Sequence, residues 1–234
     1  MKSRAFKILL MTSILWMAIY QEASAVQIIS SNLRLQKKVK SLREIRDQNV
    51  VRQTSDYSCG AAGLSTILNY DLHDPVPENE IMQGIFKFVD IQKVKQRNGF
   101  SLLDLKKYSQ ARGYKVTGYQ MDIDFLREME HPVLVPIKFK QYRHFVIVKG
   151  VVGDRVFVAD PAMGNMIMKV DWFKRIWQDG IGLVIEPKNA NFSRLPSELK
   201  VKKEDFVLIG GQNLETKTSF ITGDIRAAIF PTEF

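Results

Sequence analysis

The sequence predicts an α+β domain in which helices come first and an antiparallel sheet follows. Apolar residues recur at helical spacing in the first half, whereas the second half holds short β-branched runs separated by turn residues. Helices followed by a meander of strands define this class, with the helices packed on the sheet. A chain of 234 residues with 45% apolar and 25% charged residues is globular, which excludes a disordered or collagen-like protein.

Three helices are predicted in the first half. The first covers residues 59–70, where CGAAGLSTILNY combines small residues with apolar residues at helical spacing. The second begins at Pro77, because proline followed by an acidic residue favours a first turn. The third begins at Ser101, which can form a capping box with Asp104, and ends before Gly113.

The second half predicts five short strands and one helical stretch between the last two. Turn residues such as Gly153 and Asp154 separate neighbouring strands, as expected for an antiparallel meander. The helical stretch covers residues 172–177. The predicted strands are 133–137, 144–151, 156–159, 166–170 and 182–186.

The N-terminus is predicted to be a signal peptide. Residues 1–25 have a basic start, an apolar middle and a small-residue exit, which together predict export. An uncleaved N-terminal anchor is the alternative, although the apolar run is short for a membrane span. The predicted layout is a signal peptide at 1–25, a basic lead-in at 26–50, the main domain at 51–187 and a C-terminal extension at 188–234.

Net charge gives little support to nucleic-acid binding. Loss of residues 1–25 removes three basic residues and one acidic residue, so the formal charge falls from +9 to +7. The remaining basic residues are spread over the lead-in and the tail without interleaved aromatic residues. We therefore expect no nucleic-acid partner, and we expect a solvated, partly helical lead-in.

The single cysteine limits the chemistry. It excludes an internal disulfide and, with only three histidines, the Cys-rich zinc sites. Cys59 lies at a predicted helix start, where backbone N–H groups and the macrodipole stabilise a thiolate. Residues 60–62 are small and are expected to leave room for a substrate. The amide of Gln53 and the Cys59 N–H could together supply two donors to an oxyanion.

His144 is the histidine best placed to act with Cys59. His73 and His131 are expected in loops, whereas His144 opens a strand and Asp160 closes the next one. A regular two-residue turn between these strands would put the two side chains on opposite faces. We therefore predict an odd-length loop or a bulge, placed at Gly153, which would bring both side chains to one face.

These segments resemble the C39 family of papain-like cysteine peptidases. QTSDYSCGAAGLSTIL, HFVIVKGV and ADPA are similar to its three motifs, in the same order, over residues 51–186. The resemblance implies a papain-like fold without a cofactor. It implies Cys59 as nucleophile, His144 as base and then acid, Asp160 as the group that orients the imidazole, and Gln53 as oxyanion donor.

The chain also departs from the leader-processing members of that family. Many of these have an acidic residue directly before the cysteine, where this chain has Ser58. The chain contains no ATP-binding P-loop motif, so it resembles stand-alone exported members. Similar proteases accompany the secretion of functional amyloids. The resemblance implies a periplasmic endopeptidase that cleaves a secreted polypeptide at Gly-rich or double-glycine sites, with outer-membrane secretion components as candidate partners.

Two other functions remain open. A papain-like domain can bind a peptide without cleaving it, and cell-wall endopeptidases of the NlpC/P60 type also combine a cysteine with a histidine in an exported domain. The tail raises a separate question, because the segment that ends at Gly210-Gly211 resembles a double-glycine leader. Self-cleavage there is the alternative to an ordinary surface turn.

Overall fold

A computed structural model describes most of the chain between residues 25 and 201. Residues 1–24 of the predicted signal peptide lie outside the described residues. So does the tail from residue 202, with its apolar runs and Gly210-Gly211. The described chain divides into two compact units at Ile45/Arg46. The described residues are 25–30, 33–38, 40–140, 142–188 and 196–201.

The first unit contains a hairpin that the lead-in prediction missed. Strands β1 (Ala25–Ser30) and β2 (Leu33–Lys38) pair antiparallel. Helix α1 (Leu42–Asp47) follows and spans the boundary between the units. A capping box starts this helix: the Ser41 backbone N–H donates to the Glu44 carboxylate, and the Glu44 N–H donates to the Ser41 hydroxyl. The lead-in is therefore partly helical, as predicted, but it begins with a β-hairpin.

The three helices predicted in the first half are all present. The capping box between Ser101 and Asp104 is also confirmed. Two further helices of six residues were missed, because so short a segment shows too little periodicity. Both start at an aspartate, Asp90 or Asp122, that accepts from a first-turn N–H. The second unit, from Arg46 onward, contains the helices α2 (Cys59–Tyr70), α3 (Glu78–Phe86), α4 (Ile91–Gln96), α5 (Leu102–Ala111), α6 (Ile123–Glu128) and α7 (Val170–Ile176).

The second unit also contains a six-stranded antiparallel sheet. Its order is β3-β8-β4-β5-β6-β7, so the first four predicted strands form a meander from β4 to β7, and β8 pairs with the other side of β4. The edge strand β3 was missed. The strands are β3 (Lys115–Gln120), β4 (Val133–Phe139), β5 (Tyr142–Val152), β6 (Arg155–Asp160), β7 (Gly164–Lys169) and β8 (Ile181–Glu186).

Apolar side chains cover both faces of the sheet. On one face, Leu134 and Ile147 belong to a buried cluster with Leu64 and Leu68 of α2. On the other face, Val135 belongs to a second cluster that includes residues of α6 and α7. The alternation of neighbouring residues between two clusters is the two-residue period of a strand. The predicted α+β class, with N-terminal helices packed on an antiparallel sheet, is confirmed. No helix in the described part of the chain is long and apolar enough to cross a membrane.

The register between β5 and β6 includes the predicted irregularity, but at another position. The turn itself is regular: Val152 pairs with Arg155, and Gly153 adopts the left-handed φ of +57° that the tight turn requires. A bulge lies instead between Val148 and Gly150, where Lys149 is the extra residue. The prediction of one extra residue between the paired strands is therefore confirmed, but its placement at Gly153 is wrong.

The bulge at Lys149 is what brings the two strand ends into register. Beyond it, Ile147 pairs with Ala159, so Asp160 falls opposite Val146 and His144 is its diagonal neighbour. The Lys149 ammonium also donates to the Asn165 side-chain oxygen on β7, at 2.9 Å. This contact anchors the extra residue across the sheet.

Candidate active site

Cys59 is the first residue of α2 and is almost completely buried, with 3% of its surface exposed. The preceding residue, Ser58, makes no side-chain cap bond to the helix. Its hydroxyl instead donates to the Ser55 carbonyl oxygen at 2.8 Å. The first amides of α2 are therefore not neutralised by a capping side chain. The positive end of the helix is available to stabilise a negative charge on the Cys59 sulfur.

The small residues after Cys59 serve packing, which corrects the expectation that they leave room for a substrate. Ala61 and Ala62 have no exposed surface. A Cβ atom at Gly60 would come within 3.1 Å of side-chain atoms of Leu105 and Phe145. Small side chains therefore let α2 approach the sheet and α5 closely, and any substrate must reach Cys59 from another direction.

His144 and Asp160 form a buried hydrogen-bonded pair. The His144 Nε2 donates to the Asp160 Oδ1 at 2.8 Å, and their side chains are 2% and 0% exposed. The same oxygen accepts from the backbone N–H groups of Ala162 (2.7 Å) and Met163 (3.1 Å). The turn after β6 therefore fixes the carboxylate, and the carboxylate fixes the imidazole plane.

The environment of His144 favours the imidazolium. Burial alone would lower the pKa of His144, but the charge of Asp160 and the hydrogen bonds to Asp160 and Cys59 raise that pKa to about 10. The histidine thus interacts with both the Asp160 carboxylate and the Cys59 side chain. This arrangement places an imidazole beside the cysteine, as nucleophilic catalysis by a thiol requires.

Replacing Asp160 by asparagine should make His144 easier to deprotonate. Because the carboxylate charge raises the pKa of His144, its removal should lower that pKa. An NMR titration of the ¹⁵N-labelled imidazoles measures this directly. His131 provides the internal control, since its partner is Asp71. An unchanged His144 titration in the Asp160→Asn variant would contradict the assignment.

Tyr142 also belongs to this cluster, and the sequence prediction missed it. Its ring stacks on the His144 ring, with centroids 5.6 Å apart, and its hydroxyl lies 3.4 Å from the His144 Nδ1. Burial and the negative charges of Cys59, Asp160 and Asp56 raise the pKa of Tyr142 to about 12. The two-residue period of β5 could have revealed it, because residues 142 and 144 share a face.

Gln53 lies in the loop that leads into α2. Its backbone N–H donates to the Pro161 carbonyl oxygen at 2.9 Å, which ties it to the turn after Asp160. Its side-chain Nε2 donates to the Ser55 carbonyl oxygen at 3.0 Å, and its buried Oε1 has no hydrogen-bond partner among the residues that the structure describes. One amide hydrogen remains for another acceptor, as an oxyanion donor requires.

The other two histidines lie in loops, as expected, and away from Cys59. His131 contacts the buried carboxylate of Asp71 at 3.1 Å. The hydrogen bond to Asp71 raises the pKa of His131. His73 lies 3.3 Å from the Pro196 carbonyl oxygen. Among the described residues, no group of three or more His, Cys, Asp or Glu side chains could hold a metal ion.

The fold and this site define the class of the protein as a papain-like peptidase. Helices pack on an antiparallel sheet, and a cysteine at a helix start meets a histidine–aspartate pair from two adjacent strands. Residues 47–190 match the Peptidase C39 family. The chain belongs to this family and is a peptidase.

Similar proteins point to the same family. The chain is 35% identical to "Probable functional amyloid protease FapD" of Pseudomonas aeruginosa over 149 residues, 64% of this chain and 66% of that protein. It is 33% identical to the protein of the same name from Pseudomonas fluorescens over 183 residues, 76% of this chain and 80% of that protein. The peptidase domain of Streptococcus ComA shares the fold, with a TM-score of 0.51 and 17% identity over 59% of this chain and 97% of that domain.

Proposed function

We propose that this protein is an exported cysteine endopeptidase that cleaves a secreted polypeptide by a Cys-His-Asp mechanism. Cys59 is the nucleophile, His144 the base and then the acid, Asp160 the group that orients the imidazole, and Gln53 the oxyanion donor. The observation that carries the proposal is the buried His144, which is hydrogen-bonded to Asp160 at 2.8 Å and lies near enough to Cys59 for the cysteine to raise its pKa.

The first half of the reaction forms an acyl-enzyme. The Cys59 thiolate attacks the scissile carbonyl carbon, and the Gln53 amide and the Cys59 backbone N–H stabilise the oxyanion. His144 then gives its Nδ1 proton to the leaving amine, so the peptide bond breaks and the new N-terminus departs. Asp160 holds the Nε2 proton throughout, which keeps Nδ1 directed at the reacting atoms.

The second half releases the acyl group. Neutral His144 takes a proton from water, and the resulting hydroxide attacks the thioester carbon. The same two donors stabilise the second oxyanion. Collapse of this intermediate frees the carboxylate product and regenerates the thiolate next to the imidazolium. The reaction needs only water as a co-reactant, so the proposal includes no metal or organic cofactor.

The proposed cellular setting is the periplasm, in functional-amyloid secretion. The predicted signal peptide at 1–25 would direct export, and the proposed peptidase domain at 51–187 agrees with the family match at 47–190. Both Pseudomonas relatives are named as functional amyloid proteases. We propose a secreted amyloid-type polypeptide as substrate, cut at Gly-rich or double-glycine sites, and outer-membrane secretion components as partners.

A comparison of two substrates tests this function. The purified protein and its Cys59→Ala variant are incubated with a Gly-rich polypeptide or with peptidoglycan, and mass spectrometry identifies the products. We expect polypeptide fragments from the wild type alone. Release of peptidoglycan fragments without polypeptide cleavage would favour the NlpC/P60 alternative. Binding without cleavage of either substrate would favour a non-catalytic peptide-binding domain.

A further inference from the structure

Glu78 is a buried carboxylate that the proposed mechanism leaves without a role. It is the first residue of α3 and is 5% exposed. Its Oε1 accepts from the Thr54 backbone N–H at 3.1 Å, and its Oε2 accepts from the Thr54 hydroxyl at 2.7 Å. A buried carboxylate is costly unless donors surround it. Glu78 therefore binds Thr54 through both of its oxygen atoms.

The position of Thr54 connects this contact to the active site. Thr54 directly follows Gln53, whose own N–H donates to the Pro161 carbonyl oxygen at 2.9 Å. The two successive backbone N–H groups are therefore held by different elements: one by the turn after Asp160, the other by the start of α3. Hydrogen bonds at Gln53 and at Thr54 therefore hold the Gln53 backbone, and this fixes the point from which the Gln53 side chain extends.

We propose that Glu78 is a positioning residue for the oxyanion donor. By holding the backbone at Thr54, it keeps the Gln53 amide where the tetrahedral oxyanion forms. This inference rests on the proposed role of Gln53. An oxyanion donor acts only within hydrogen-bond distance of the developing charge, so a small shift of its backbone weakens it. Glu78 itself touches no reacting atom.

The nine-residue helix α3 gives Glu78 a stable place for its charge. A carboxylate in the first turn interacts favourably with the positive end of the helix dipole. The Glu78 side chain is thus anchored by its own helix at one end and by Thr54 at the other. This rigid link across 24 residues of sequence is what a positioning role requires.

Two reagents separate a positioning role from a purely structural one. A p-nitrophenyl ester of an N-blocked Gly-Gly dipeptide acylates Cys59 through a tetrahedral oxyanion. Iodoacetamide alkylates the same sulfur by direct displacement of iodide and forms no oxyanion. The rate constant of acylation divided by that of alkylation, measured on the full chain, therefore reports oxyanion stabilisation independently of the reactivity and accessibility of the thiol.

We expect Glu78→Ala to slow acylation at least about tenfold and to change alkylation less than about twofold, whereas Gln53→Ala should slow acylation about 100-fold or more. In the Gln53→Ala background, Glu78→Ala should cause little further loss, because the donor it positions is absent. Glu78→Gln keeps an acceptor for the Thr54 N–H and should restore most of the acylation rate.

Each outcome separates this inference from the proposed function. If Gln53→Ala leaves acylation unchanged, the proposed role of Gln53 is wrong, and if the wild type reacts with neither reagent, the proposed function is wrong; the inference falls with either. If Gln53→Ala slows acylation but Glu78→Ala does not, the positioning role alone is wrong. Equal slowing of acylation and alkylation by Glu78→Ala would likewise overturn it. Should Glu78→Ala fail to fold, Thr54→Val removes one of the two bonds and must still lower the ratio.

Discussion

Replacing Cys59 by alanine is expected to abolish polypeptide cleavage while leaving the fold intact. No other cysteine exists in the chain to replace the nucleophile, so the rate should fall by about four orders of magnitude or more. Alanine fits the site, because the substitution removes only the buried sulfur and the helix continues with Gly60 and Ala61. We expect a destabilisation of about 1 kcal/mol, measured by chemical unfolding.

Ser65→Ala provides the matched control on the same helix. Ser65 is also fully buried, and its hydroxyl donates to the Val76 carbonyl oxygen at 2.5 Å. Its loss should cost about 1–3 kcal/mol, because that carbonyl would remain buried without its partner. We expect this variant to be less stable than Cys59→Ala and yet to cleave at nearly the wild-type rate. Cleavage by folded Cys59→Ala protein would contradict the nucleophile assignment.

Replacing His144 by glutamine is expected to lower the cleavage rate about a thousandfold or more. The variant lacks both the base that pairs with Cys59 and the acid that protonates the leaving amine. Glutamine is preferable to alanine, because loss of the His144 side chain would remove a hydrogen-bond donor from the buried Asp160 carboxylate, at a cost of about 3–5 kcal/mol. The glutamine amide can still donate to Asp160.

His131→Gln is the matched control for this substitution. It alters the other histidine that is paired with a buried aspartate, Asp71, on a different part of the domain. We expect His131→Gln to retain the wild-type rate of cleavage, measured with the same polypeptide. Similar losses in the two variants would show that a general effect on folding, rather than proton transfer by His144, explains the result.

Local patterns predicted the long elements well and the short ones poorly. Helix α2 and the capping box of α5 follow from apolar spacing and capping chemistry. The edge strand β3 was missed because only Val116 of its six residues is buried, so it lacks the alternation of a half-buried strand. Its place beside β8 is decided by tertiary pairing rather than by its own sequence.

The site was also only partly predictable, because part of it depends on contacts between distant positions in the sequence. The requirement that His144 and Asp160 share a face predicted an irregular register. The sequence could not locate the bulge, because one extra residue at either Gly153 or Lys149 would place Asp160 opposite Val146. In the structure the extra residue is Lys149, which contacts Asn165 on β7. The Glu78–Thr54 contact was missed because it joins positions 24 residues apart.

The most direct test of the Cys59–His144 pair is the rate of Cys59 alkylation by iodoacetamide at about pH 6.5. An ordinary thiol with a pKa of about 8.5 is only about 1% ionised there. The structure predicts rapid alkylation of the wild type, because His144 is held as an imidazolium next to the sulfur, and a rate lower by about 100-fold in His144→Gln. Slow alkylation of the wild type, equal to that of the variant, would contradict the thiolate–imidazolium pair.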